Sequence, residues 1–144
     1  METIRGVASK VRNTIDVSGG DVTTTTHICI FQLDGRTVKV KSSEPPIINE
    51  GDNVIVAGNS SGGVFYAFAY RNLTSHTEGN EGYFLMFLFG VIFPVASVMI
   101  FSTFSNPFFG ILPKIIASVF LLAGLYMLFR GIRVLQAVKL LKES

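Results

Sequence analysis

His27 and His76 are the only histidines in the chain. An imidazole can act as a base or bind a metal. These two stand about 50 residues apart, and no Cys or acidic cluster beside either has metal-ligand spacing. The single cysteine, Cys29, has no Cys-x-x-Cys partner and cannot form an internal disulfide. As a small apolar side chain on a strand, it reads as a core residue. Serines and threonines are plentiful, but no Gly-x-Ser-x-Gly elbow holds one as a nucleophile. The run Gly58-Asn59-Ser60-Ser61-Gly62-Gly63 lacks the Lys-Ser/Thr of a phosphate loop and reads as a hairpin turn. Asn72-Leu73-Thr74 fits a glycosylation sequon, which matters only in a luminal segment. The expectation is a protein that is not an enzyme, with no catalytic residues, metal site or cofactor.

One group of residues could bind. Tyr66, Phe68 and Tyr70 alternate along one stretch, and aromatics on a small sheet can stack nucleic-acid bases or contact a protein. Backbone binding to a nucleic acid needs cationic excess. Residues 1–81 carry seven Lys or Arg against nine Asp or Glu, whereas residues 82–144 carry five against one. The net charge of +2 therefore comes from the C-terminal half. Nucleic acid is not the expected partner. The aromatic stripe is read as core or as contact with a protein partner or a second copy.

The elements that position these residues fall into two parts. Residues 82–113 contain no Asp, Glu, Lys, Arg or His, and a second apolar run follows Lys114. A spanning helix needs about 20 mostly apolar residues for a hydrocarbon core about 30 Å thick. Residues 83–104 and 111–132 are read as two spans forming a transmembrane hairpin. Small residues recur at intervals of seven: Gly90 and Ser97 in the first span, Ala117, Gly124 and Gly131 in the second. Small side chains let helix backbones approach closely. Pro94 lies inside the first span. Lys114, Arg130, Arg133, Lys139 and Lys142 are expected at the membrane interface. Residues 133–144 form a basic amphipathic tail that continues the second helix. The uncharged loop between the spans and the cations after them put the C-terminus inside. Two spans put the N-terminus inside as well. Met1 to Val17 has no apolar run of signal-peptide length, so the N-terminal domain is expected on the side where it is made.

Residues 1–72 read as five short strands. Val7, Val11 and Ile15 alternate with polar residues in the first, which implies one buried face. Ser18-Gly19-Gly20-Asp21 is a turn signal. Cys29, Phe31 and Leu33 line one side of the second strand. Asp34-Gly35 is a two-residue hairpin turn, and Val38 and Val40 alternate with Lys39 and Lys41. Pro45-Pro46 excludes a helix from the next connection. Val54 and Val56 then alternate with Ile55 and Ala57, and the aromatic stripe follows. Residues 73–82 read as a linker.

The segments Phe31-Gln32-Leu33-Asp34-Gly35-Arg36-Thr37-Val38-Lys39-Val40, Glu50-Gly51-Asp52-Asn53-Val54-Ile55-Val56-Ala57-Gly58 and Gly63-Val64-Phe65-Tyr66-Ala67 resemble the OB-fold. That resemblance covers about half of the chain and speaks for fold, since OB-folds host unrelated tasks. In the barrel the chain is similar to the NfeD-like proteins, where the helices precede it. It also resembles small two-span proteins catalogued as putative type VI secretion effectors. The expected architecture is β plus transmembrane α: a small five-stranded OB-like barrel followed by a two-helix hairpin. The expected role is a non-enzymatic binding or assembly module in a bacterial inner (plasma) membrane, with both termini cytoplasmic. The alternatives are a secretion-associated effector or immunity protein, and a membrane-tethered binder of single-stranded nucleic acid. The expected partners are the lipid bilayer and a protein, which could be a second copy of the chain.

Overall fold

The computed structural model describes residues 1–18, 24–106 and 109–144. The turn expected at Ser18 to Asp21 lies largely outside the described residues. Among the described residues six strands and two helices follow in order: β1 (Glu2–Ser18), β2 (Thr24–Leu33), β3 (Arg36–Ser42), β4 (Asn53–Ser61), β5 (Val64–Asn72), β6 (Thr77–Asn80), α1 (Tyr83–Thr103) and α2 (Leu112–Glu143). They divide into two compact units, Met1–Gly82 with Val134–Ser144, and Tyr83–Arg133.

The first unit is a closed five-stranded barrel. Its strands run in the order β3-β2-β1-β4-β5, and a parallel pairing of β3 with β5 closes the ring. Hairpin turns fix the register. Asp34 and Gly35 have φ of 48° and 78°, as do Gly62 and Gly63 at 57° and 78°. Positive φ at both central residues matches the turn's twist to that of the strands. Leu33 then pairs with Arg36, and Ser61 with Val64. Cys29, Phe31, Leu33, Val38, Val40, Val54, Val56 and Phe65 fill the core.

β1 serves two partners. Residues 2–7 pair with β4 and residues 8–18 with β2. The register slips by one residue between Ser9 and Arg12, and Lys10 there has φ of 54°. This bulge corrects the simple alternation read from the sequence. Ala8 and Val11 both face the core, and Val7 is 56% exposed. Ile15 opposes His27 beyond the barrel rim and is 59% exposed. Neither Val7 nor Ile15 is a core residue.

The stretch 73–82 is not a plain linker. It carries β6, which pairs with β5 from Ala69 to Asn72. Asn72 anchors this end. It is fully buried, and its amide nitrogen donates to the Ile47 carbonyl at 2.9 Å and to Asp52 Oδ2 at 2.7 Å. Its amide oxygen accepts from the Thr74 and Ser75 backbone N–H groups at 2.9 and 3.2 Å. With both donors and the acceptor engaged, this side chain is a structural joint and not an accessible sequon.

α2 continues as one helix to Glu143, and its last residues belong to the barrel unit. Ala137 and Leu141, with Val138 and Leu140, pack on Ile55, Ala57, Phe68, Ala69 and Leu73. That contact covers the outer faces of β4 and β5, which is why Ile55 and Ala57 are as buried as Val54 and Val56. The tail thus meets protein with its apolar side, while Lys139 and Lys142 stay exposed.

In the helical unit the small residues lie at the contact of α1 with α2. Ser97 Oγ donates to the Ala117 carbonyl at 2.7 Å. A Cβ on Gly90 would come within 2.7 Å of the Leu128 side chain, one on Gly124 would overlap Pro94, and one on Gly131 would approach Met86. Phe93 and Phe120 meet edge to face with ring centroids 5.4 Å apart. Only 11% and 17% of the most apolar windows of α1 and α2 are buried. A core helix of a soluble domain would be mostly covered. These helices leave a wide apolar surface for which lipid is the natural solvent.

Val56 is fully buried and Val7 is exposed. Val56→Asp places an unpaired carboxylate in the core and is expected to cost several kcal/mol, out of a total of about 5–15 kcal/mol for a domain. Val7→Asp is expected to cost less than about 0.5 kcal/mol. Thermal melts of the β-sheet circular dichroism signal, taken on the full chain in detergent, check the difference.

Candidate binding face of the barrel

Residues paired directly across strands share a face. One row of such pairs runs Arg12, Ile30, Lys39, Tyr66 and Asn59 across β1, β2, β3, β5 and β4. The next row runs Thr14, Ile28 and Lys41. Both rows point outward, because their strand neighbours Cys29, Phe31, Val38, Val40 and Ala67 are core. Three cations therefore lie on the outer surface of β1 and β3, with the 41%-exposed Tyr66 beside Lys39 and the half-buried Ile30 between Arg12 and Lys39, while Ile28 is buried. Asp16, two positions beyond Thr14 on β1, is the only carboxylate in register with it among the described residues. Such a face suits an anionic or mixed polar partner.

The bulge places Arg12 here. Without the extra residue, Arg12 would follow Ala8 and point inward. Glu50 holds the bulge by accepting two successive backbone N–H groups, from Lys10 at 2.8 Å and from Val11 at 3.2 Å. These bonds favour the ionised carboxylate and hold it below its ordinary pKa.

The structure separates the aromatic stripe. Ala57 opposes Ala69 and Gly58 opposes Ala67, so Phe68 is an extra residue in β5. The alternation inverts there. Tyr66 faces outward, Phe68 packs under the helical tail, and Tyr70 lies in the core at 3% exposure. The three do not form one platform. Gly58 permits the bulge, since a Cβ there would overlap the Tyr66 carbonyl oxygen. The Tyr70 hydroxyl accepts the Ile47 N–H at 3.3 Å, and burial raises its pKa.

The remaining reactive groups lie apart from this face. Cys29 is fully buried, and burial pushes its thiol up to about 11, so little nucleophilic thiolate exists near neutrality. His27 sits on β2 opposite Ile15, and His76 occupies the turn before β6. Among the described residues no group of three His, Cys, Asp or Glu side chains could hold a metal. A cleft of about 390 Å³ lies between the connection after β3 and β6; its ionisable lining is Glu44, Glu78 and Tyr70, with no cation. On α2, Lys114 stands in the first turn, the Arg130 guanidinium donates to the Tyr126 hydroxyl at 3.4 Å, and Arg133 lies 4.6 Å above the Phe129 ring.

Glu50 has a depressed folded pKa, so its contribution to stability is complete above the unfolded value of 4.5 and is lost as pH falls through the lower folded value. The amide proton shifts of Lys10 and Val11 are expected to titrate together, with a midpoint below 4.5. Nuclear magnetic resonance across the acid range checks this, and Glu50→Ala is expected to abolish the shared titration. Comparison of the chain with protein-family models, curated proteins and solved structures finds no match, so its functional reading rests on the geometry of this face.

Proposed function

We propose that the chain is a non-enzymatic binding or assembly module, held in a bacterial-type inner membrane by the α1–α2 hairpin and presenting an OB-like barrel at the cytoplasmic face. The observation that carries this reading is the outward face of Arg12, Lys39, Lys41 and Tyr66, gathered by strand pairing onto a barrel followed by two membrane-length apolar helices. A ring in which β1 is shared between two partners and β3 closes on β5 supports the OB-like assignment. The contact of the α2 tail with β4 and β5 supports a common side for the barrel and the C-terminus. The cations near the end of α2 support the cytoplasmic side. Cysteine labelling checks the orientation. A cysteine at Ser105 is expected to react with an impermeant reagent added outside intact cells, and one at Ser144 only after lysis. The reverse pattern overturns it.

The same face favours a second reading, a tethered binder of single-stranded nucleic acid. Net charge spoke against this, but register separates the cations from most of the carboxylates. If the three cations each neutralise one phosphate, log K should fall with log salt at a slope of about −2. On the first reading, the full chain in detergent binds an oligonucleotide only weakly near physiological salt. Tight binding with that slope, lost in Tyr66→Ala and in Lys39→Ala with Lys41→Ala, would put the second reading first.

A further inference from the structure

Among the described residues, the strand β1 beyond Val11 is bonded on one side only. Residues 2–7 pair with β4, Ala8 exchanges bonds with Gly51 and Asp52, and Lys10 and Val11 are held by Glu50. From Arg12 onward the pairing is with β2 alone. The side chains of residues 12–16 are all exposed. An edge of this length presents a row of unpaired N–H and C=O groups, and proteins usually blunt it with Lys, Pro or a bulge. Here Lys10 and the bulge come before the open stretch, and Arg-Asn-Thr-Ile-Asp has no Lys or Pro and one charge of each sign, Arg12 and Asp16.

We infer that this edge is the interface of a homodimer, in which residues 12–16 of β1 pair antiparallel with the same residues of a second copy about a twofold axis at Thr14. The stretch is self-complementary in that register. Arg12 falls opposite the partner subunit's Asp16, and Asp16 opposite the partner subunit's Arg12. Both pairs lie on the outward face, since residues 12, 14 and 16 share it. Opposite charges directly across an antiparallel pair are stabilising, and like charges are not. On the inner face Asn13 meets the partner subunit's Ile15, which covers a side chain otherwise 59% exposed. The pairing is isologous, so it closes at two copies and builds no fibre. It also joins two β1–β2–β3 sheets edge to edge and so brings two cationic faces together. The inference goes beyond the proposed function and does not depend on which partner that face takes.

Thr14→Cys in the full chain tests this in membrane vesicles. Cys29 is buried, so the new thiol is the accessible one. Thiols at paired positions lie within disulfide reach, given Cα atoms about 5.5 Å apart. Mild oxidation is expected to give a disulfide-linked dimer on a non-reducing gel, whereas Ser60→Cys on β4 gives none. Adding Arg12→Asp to Thr14→Cys is expected to lower dimer formation about tenfold (about 1.4 kcal/mol), and combining it with Asp16→Arg to restore it. Cross-linking of Thr14→Cys no greater than that of Ser60→Cys overturns the inference. So does failure of the double exchange to rescue, which would assign the edge to a different strand.

Discussion

The barrel depends on β1 changing partners halfway along. A strand pairs continuously only while its alternation is unbroken, and here it must hold β4 with its first half and β2 with its second. Lys10, in a left-handed conformation, supplies the extra residue that lets it do so. The backbone groups freed by the irregularity need partners, and Glu50 provides them for two successive amides. That one carboxylate, on the turn before β4, ties the middle of β1 to the entry of its neighbouring strand. The placement of Arg12 on the outer face and of Val11 in the core both follow from it.

A second irregularity does the same for β5. Phe68 is the extra residue, Gly58 makes room for it, and the strand splits its aromatics between two apolar environments. Tyr70 goes to the barrel core. Phe68 joins the cluster under the α2 tail. The barrel is therefore lined inside and partly covered outside, as expected of a small domain that buries only about 60% of its chain surface and has little stability to spare. The C-terminal residues add apolar contacts that the first 82 residues lack.

The helices are held by a different kind of contact. In lipid there is little hydrophobic drive between apolar helices, so close packing and hydrogen bonds supply the attraction. Gly90 and Gly124 leave room for Leu128 and Pro94, and Ser97 donates across the contact to a backbone carbonyl. α2 then shows two buried stripes in succession. Ala117, Gly124 and Gly131 meet the α1 contact, and Val134, Ala137 and Leu141 are buried in the barrel unit. One helix with one periodicity thus serves both lipid-embedded and barrel packing.

Much of this architecture was legible in the residues themselves. Length and apolarity named both helices, because crossing a hydrocarbon core tolerates few alternatives. Asp34-Gly35 and Gly62-Gly63 named their hairpins, because positive φ is cheap only for a few residue types. Small residues at intervals of seven lay on one helix face by geometry alone. What the chain could not disclose were its two bulges, since one extra residue reverses every side chain beyond it and leaves no mark on composition. Val7 therefore looked like core, as did Ile15, which keeps the inward side but lies beyond the barrel rim, and Tyr66, Phe68 and Tyr70 looked like one face. Nor could net charge reveal that Arg12 comes near Lys39 and Lys41, because the pairing of β2 with both β1 and β3 joins residues distant in sequence. Local rules decided which elements form, and tertiary pairing decided which side chains meet.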